Sequence, residues 1–248
     1  MTEDAHGAWA DGPPLPVIAR VRSCFGQKFG TPRQPGLAPS ARAELVLQPG
    51  FDQAEALQGI EDYSHLWVLF WFHHSAAQGW RPTVRPPRLG GNARMGVFAT
   101  RSPFRPNPIG LSVVENLGLL AGEHARGILI GNHDLVDGTP VLDIKPYLPY
   151  SDSPGLAVAP PEFADRPADA LEVTFDQTAR RVLAVLPRAE AQALEKLVRE
   201  TLALDPRPAY QSGVEGRRYG TRLGGYEVRW FCHEGIAHVV DIDAMGSA

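Results

Sequence analysis

Leu66-Trp67-Val68-Leu69-Phe70-Trp71-Phe72 is the longest apolar run in the chain. Seven residues fall far short of the roughly 20 that an apolar helix needs to cross a bilayer, so the run reads as a buried strand and no membrane span is expected. Further apolar or alternating runs lie at Val17 to Val21, Ala43 to Leu47, Gly96 to Ala99, Leu111 to Asn116, Ala125 to Ile130 and Pro140 to Ile144. Gly, Pro, Asn and Asp punctuate them, and the chain holds 25 Gly and 23 Pro, too many for a helical bundle. The expected fold is therefore mainly β, a small closed or nearly closed β-barrel. One helix should interrupt it, opened by a capping box of Asp52 with Glu55 and stopped at Gly59.

Around the barrel the chain divides by composition. Residues 1–16 are small, acidic and Pro-rich and read as a disordered lead-in to a barrel domain over 17–150. Ser, Pro, Ala and Asp dominate 151–167, a linker, and 168–248 reads as a smaller α+β C-terminal domain. In it, Leu171 to Phe175 and Val182 to Leu186 are expected to pair as a hairpin. Pro187 opens a helix carrying Leu194, Leu197, Val198 and Leu202 on one side, which ends before Asp205-Pro206. Tyr226 to Cys232 and Ala237 to Ile242 read as a closing pair of strands.

The 248 residues are of ordinary globular composition, 44% hydrophobic and 21% charged, which excludes disorder as the main state. The acidic N-terminus has no apolar stretch behind it, so a cytoplasmic location is expected. Cys24 and Cys232, far apart and outside any CxxC, read as reduced, inert thiols.

The net charge of −4 hides an uneven layout. Between Asp62 and Glu115 there is no acid, yet Arg81, Arg85, Arg88, Arg94, Arg101 and Arg105 all fall there. A second acid-free stretch, between Asp11 and Glu44, holds Arg20, Arg22, Lys28, Arg33 and Arg42. Folded onto one face, the two make a cationic surface suited to a phosphate-rich partner; the alternative is a solvated loop bearing surface Arg.

GxGxxG after a strand and GxxxxGK[ST] are both missing, so neither a Rossmann nor a P-loop nucleotide site is signalled. His233-Glu234-Gly235-Ile236-Ala237-His238 places its second His five residues on, which does not align two imidazoles on one helical face, and it reads as a polar hairpin turn; no metal is expected. His73-His74, at the end of the 66–72 run, reads as lining a pocket mouth. In Thr100-Arg101-Ser102-Pro103-Phe104-Arg105-Pro106-Asn107-Pro108-Ile109-Gly110 three prolines stiffen a polar loop, pre-organised for a ligand or else a plain connector. Pro32-Arg33-Gln34-Pro35-Gly36 is a rigid turn of the same kind. Asp134-Leu135-Val136-Asp137-Gly138-Thr139-Pro140 ends in a turn whose backbone amides and carbonyls could read an adenine edge, or which is a solvated β-turn.

The strings 32–36 (PRQPG), 64–66 (SHL), 80–105 (WRPTVRPPRLGGNARMGVFATRSPFR), 106–110 (PNPIG), 134–150 (DLVDGTPVLDIKPYLPY) and 205–210 (DPRPAY) together resemble the TrmO family of tRNA methyltransferases. The resemblance implies a β-barrel enzyme that uses S-adenosylmethionine to methylate N6 of N6-threonylcarbamoyl-adenosine next to the anticodon. It implies cofactor contacts from Pro32, Arg33, Gln34, His73, His74, Arg101, Leu111, Asp134, Leu135, Val136, Asp137, Gly138 and Thr139. It also implies a homodimer in which Asp205, Arg207 and Tyr210 approach the neighbouring subunit's pocket.

In-line transfer from a sulfonium gains much of its rate from positioning. The cofactor's carboxylate suits Arg33 or Arg101, and Asp137, Asp205, Tyr210 and His73 are the groups that could take the N6 proton. Arg85, Arg88, Arg94, Arg105 and Arg207 are expected on the RNA. Two rivals stand beside this reading: a non-catalytic β-barrel that binds RNA or senses S-adenosylmethionine, and a metal-dependent hydrolase built on His73, His133 or the His233 region.

Overall fold

A computed structural model describes residues 15–246 apart from 91–92, 121–125, 156, 168–169, 209–210 and 212. The lead-in expected over 1–16 lies almost wholly outside the described residues, as does Tyr210. Strand β1 (Ala19–Ser23) buries Ala19 and Val21 and exposes Arg20 and Arg22, the alternation of a sheet with one apolar face. β2 (Arg42–Leu47) repeats it with Ala43, Leu45 and Leu47 inside, and β3 (His65–Trp71) with Leu66, Val68 and Phe70. After the single-turn helix α1 (His73–Ala76) come the two-residue strands β4 (Thr83–Val84) and β5 (Met95–Gly96), which pair with each other. β6 (Ile109–Leu119), β7 (Gly127–Gly131) and β8 (Pro140–Pro146) complete a closed antiparallel barrel in the order β1-β2-β7-β6-β3-β8. Closure removes both sheet edges. Val21, Leu45, Leu66, Val68, Val114, Ile128, Ile130 and Val141 fill the interior.

Single-turn helices α2 (Pro149–Asp152) and α3 (Pro161–Ala164) lead to a second unit. It consists of β9 (Glu172–Phe175), α4 (Gln177–Val185), α5 (Arg188–Ala203), β10 (Arg218–Leu223), β11 (Tyr226–His233) and β12 (Ile236–Ala244). Its sheet runs β10-β11-β12-β9, with β9 parallel to β12. The fold is thus the mainly β barrel followed by an α+β unit that the sequence predicts, and α5 and the β11/β12 pair lie where expected. His233 and Glu234 sit at the tight turn between β11 and β12, with Glu234 at φ 48° and Gly235 at φ 76°.

Three local expectations are corrected. Val182 to Leu186 is the end of helix α4, not the second strand of a hairpin. Val97–Ala99 is a 3-10 turn, because the Val97 amide bonds the Pro82 carbonyl and the Thr100 amide turns back to Val97. Asp52 caps no α-helix: its carboxylate accepts from the Gly50 amide, and two 3-10 turns follow, Ala54–Leu57 and Ile60–Asp62, with Gly59 at φ 81° between them.

The β1–β2 connection leaves the barrel and enters the second unit. Phe25, Ala38 and Ala41 are buried in its core with Val198, Leu202, Leu223 and Trp230, and Phe25 bridges Leu223 backbone to backbone. Phe29 packs against the stacked pair Tyr219 and Trp230, ring centroids 6.0 and 6.5 Å away. No helix among the described residues is long and apolar enough to cross a membrane.

Candidate active site

Because all six barrel strands are antiparallel, the C-terminal ends of β1, β3 and β7 and the N-terminal ends of β2, β6 and β8 share one rim. The connections over 24–41, 72–108 and 132–139 therefore emerge side by side. The three polar motifs singled out in the sequence lie one on each.

Arg101 ties them together. Its guanidinium donates to Gln34 Oε1 at 2.6 Å, and its charge acts on Asp134. Asp134 in turn accepts from the Ser112 hydroxyl at 2.6 Å, next to the exposed Leu111 on β6. Burial pushes the Asp134 carboxyl up to about 6, against the pull of Ser112 and Arg101. Arg101 thus joins the first and second connections by a hydrogen bond and acts on the third through its charge.

On the other side of the rim, the Asp137 carboxylate accepts from the Ser23 amide at 2.8 Å, and Arg20 donates to the Gly138 carbonyl at 3.2 Å. Arg20 also presses electrostatically on His73, whose pKa burial lowers first, with His74 and Arg20 adding to the shift. His73 is therefore neutral at pH 7. His73 and His74 occupy α1 instead of a strand end, and their rings lie 3.9 Å apart.

The 136–139 turn differs from its expected use. The amides of Asp137, Gly138 and Thr139 bond the carbonyls of Phe25, Val21 and Val136. Those three donors hold the barrel's rim and are not available to an adenine edge. The Leu135 amide likewise bonds His133 Nδ1. His133 is fully buried, with Nε2 3.8 Å from Cys24 Sγ, and burial depresses its pKa to about 4. Burial also raises the Cys24 thiol to about 11, and this pair packs as an uncharged core contact.

From the second unit, Asp205 reaches the rim of its own chain: its charge acts on Arg33, opposing the drop that burial imposes on that guanidinium. Asp205 lies at φ 47° and binds Arg207 through Nε at 2.7 Å and Nη2 at 2.8 Å. Arg207 is 5% exposed, so its charge is spent on Asp205 and is not presented to RNA. Arg105 is also turned inward, donating to the carbonyls of Val97 and Thr100 at 3.1 and 2.6 Å as a brace of the proline loop. Arg88 donates to the Asp165 carbonyl and covers the Phe163 ring. Arg85 and Arg94 are exposed and bond no described residue.

Ser112, Ser23 and Asn132 also lie at this rim and escaped the sequence reading, which held Arg20 only as part of a cationic stretch. Ser112 carried a signal: it is the one hydroxyl on the inward face of β6, between Gly110 and Val114. The Asn132 side-chain oxygen is buried without a partner among the described residues, and its backbone links the Gly36 amide to the Ala41 carbonyl. No group of three His, Cys, Asp or Glu placed to hold a metal ion occurs among the described residues.

Known proteins resemble this chain in sequence and in fold. The family described as tRNA-methyltransferase O N-terminal domain matches residues 20–153, and the TrmO C-terminal domain matches 168–245. A tRNA (adenine(37)-N6)-methyltransferase of Escherichia coli strain K12 is 51% identical over 215 residues, 86% of this chain and 90% of that protein. The human tRNA (adenine(37)-N6)-methyltransferase is 43% identical over 145 residues, 58% of this chain and 32% of that protein. A crystal structure of TrmO from Pseudomonas aeruginosa, 40% identical, superposes with a TM-score of 0.75 over 94% of this chain and 99% of that one. With both halves matched in order and the barrel rim carrying the motifs, the chain belongs to the TrmO family.

Proposed function

We propose that this chain is an S-adenosylmethionine-dependent tRNA methyltransferase acting on N6 of the adenosine next to the anticodon, in its threonylcarbamoylated form. The single observation that carries the reading is the Gln34–Arg101–Asp134–Ser112 chain, which brings three separate motifs to one barrel rim. Its donor set fits the cofactor. Arg33 and Arg101 offer planar forks to a carboxylate. Asp134 and the partnerless Asn132 oxygen offer acceptors to an ammonium group, and a carboxylate near the rim favours a cationic sulfonium. Pro32, Gln34, His73, His74, Leu111, Leu135, Val136, Asp137, Gly138 and Thr139 complete the wall. When bound, S-adenosylmethionine supplies an electrophilic methyl group.

The protein's part is orientation and the proton. An acylated N6 is a poor nucleophile until its proton leaves. Asp137 is exposed and pinned by the Ser23 amide, which suits it to accept that proton. His73, neutral at pH 7, is the second acceptor, while Asp205 orients Arg33 within its own chain. Asp205 and Tyr210 stand as further catalytic candidates. Arg85 and Arg94 are the phosphate contacts, and Arg88, Arg105 and Arg207 order protein backbone and side chains around them. The same reading makes the protein a cytoplasmic homodimer, a state favoured by the exposed Leu117 and Leu119 near the end of β6.

The test is incubation of the purified protein with methyl-labelled S-adenosylmethionine and tRNA that either carries or lacks the threonylcarbamoyl group. Label is expected in the modified tRNA alone. Cofactor binding without transfer to either tRNA would leave a sensing barrel in place of an enzyme.

A further inference from the structure

Behind α1 the rim opens into a cleft that no cofactor residue occupies. Its volume is about 270 Å³, and Trp71, Trp80, Pro103, Pro106 and Pro108 line it with Arg105 at its edge. Pockets for drug-sized ligands begin at about 300 Å³, so the cleft suits one heterocycle better than a whole nucleoside cofactor. The walls are rigid. Three prolines form one side, the Arg105 brace fixes their loop, and the Arg81 amide bonds the Phe104 carbonyl across the mouth at 3.1 Å.

Two large aromatic rings lack cover, Trp80 on the cleft wall and Phe98 beside Arg105. Trp80 is 50% exposed and Phe98 is 75% exposed. The guanidinium of Arg105, which lines the cleft, is 5.7 Å from the Phe98 ring centre, and Arg81 covers Phe104 at 4.5 Å. All of these residues fall inside the span from Asp62 to Glu115, which holds six Arg and no acid. Exposed aromatics in a field of one sign are how proteins hold unpaired bases: the rings stack on the bases while free cations, here the exposed Arg85 and Arg94, meet the phosphates. A duplex offers no free base face to such a surface. Nor does the charge favour an acidic peptide, which has no flat face to put between indole and proline.

We infer that Trp80 and Phe98 are stacking platforms for unpaired nucleobases of the RNA substrate, and that the proline-walled cleft takes one base splayed from its loop. The inference rests on the tRNA reading above and adds where the loop is gripped. Ser75 and Ala76 line the cleft from the same short helix that carries His73 and His74 at the cofactor rim. A base seated against Trp80 therefore anchors the loop one helix turn from the methyl donor's wall, which sets the register of the target adenosine.

The experiment compares the wild type with Trp80→Ala, Trp80→Phe and Phe98→Ala. The readouts are methyl transfer, cofactor affinity by calorimetry, and quenching of tryptophan fluorescence by an anticodon stem-loop and by a duplex of the same composition. Stacking is sequence-tolerant and costly to lose, so Trp80→Ala should raise KM for tRNA about tenfold or more with cofactor affinity unchanged. Trp80→Phe should keep most of the tRNA affinity while reducing the quenching that the stem-loop produces to the share of Trp71. Phe98→Ala should weaken tRNA binding in the same direction. An unchanged KM in Trp80→Ala, equal loss in Trp80→Ala and Trp80→Phe, or quenching by duplex as strong as by the stem-loop each overturns the inference. Absence of methyl transfer by the wild type with quenching retained would instead overturn the enzymatic reading and leave the stacking site standing.

Discussion

His133 and Asp134 are adjacent residues whose burial pulls stability in opposite directions with pH. His133 is held well below its ordinary 6.5, at about 4, so the stability it contributes is full above pH 6.5 and is lost as pH falls through 4. Asp134 is raised from 3.8 to about 6, so its contribution is full below pH 3.8 and is lost as pH rises through 6. Between pH 7 and pH 4.5 the two nearly offset, His133 costing on the order of 2 to 3 kcal/mol and Asp134 returning roughly 2. Asp134→Asn removes the second effect and leaves the first. Its stability by denaturant titration should therefore fall between pH 7 and pH 4.5 by roughly 2 kcal/mol more than the wild type's. Parallel pH profiles for the two proteins would show that the carboxyl is ordinary in the folded state.

Elements show why parts of this chain were legible in its sequence and others were not. The barrel strands were readable because a closed sheet buries alternate residues, and Leu66, Val68 and Phe70 keep that period across β3. The Val182 to Leu186 stretch was misread because its five residues are apolar without a break, and a run that short fits a buried strand as well as a helix. With Ala179 and Leu183 included, the spacing becomes that of a helix face packed on the second core, which a short window cannot distinguish. The site motifs were legible as rigid polar turns, but not which donors were free: the Thr139 amide closes the turn on Val136, and the Asp137 and Gly138 amides are spent on Phe25 and Val21, partners that only the fold brings near. Gly110 illustrates a constraint of the same kind. It pairs with Phe70 across β3 and β6, and a methyl group there would lie inside the Phe70 ring. Gly110→Ala should cost about 1 to 3 kcal/mol by forcing that ring from the barrel interior. Adding Phe70→Leu should return much of the loss, and a thermal-melt double-mutant cycle reads the coupling directly. Additive losses would place the strain elsewhere.

At the scale of the whole molecule, the second unit backs the rim loop proposed to hold the cofactor. The connection that carries Pro32, Arg33 and Gln34 spans residues 24–41, long enough to wander on a bare barrel. It is held instead by Phe25 and Ala38 buried in the second core and by Phe29 against Tyr219 and Trp230. Gly30 closes the contact at φ 91°, where a side chain would strike the Thr221 methyl. Asp205 completes the link electrostatically at Arg33. Ordering the loop in advance lowers the entropy lost when the cofactor binds, so loosening it should reach cofactor affinity without touching a cofactor contact. Phe29→Ala and Gly30→Ala are each expected to weaken S-adenosylmethionine binding several-fold in calorimetry, with far-ultraviolet circular dichroism unchanged. Phe29→Tyr, which keeps the stacked ring, should stay near the wild type. Should Phe29→Ala bind the cofactor as tightly as the wild type does, the loop holds its shape from its own prolines, and the second unit serves some other end.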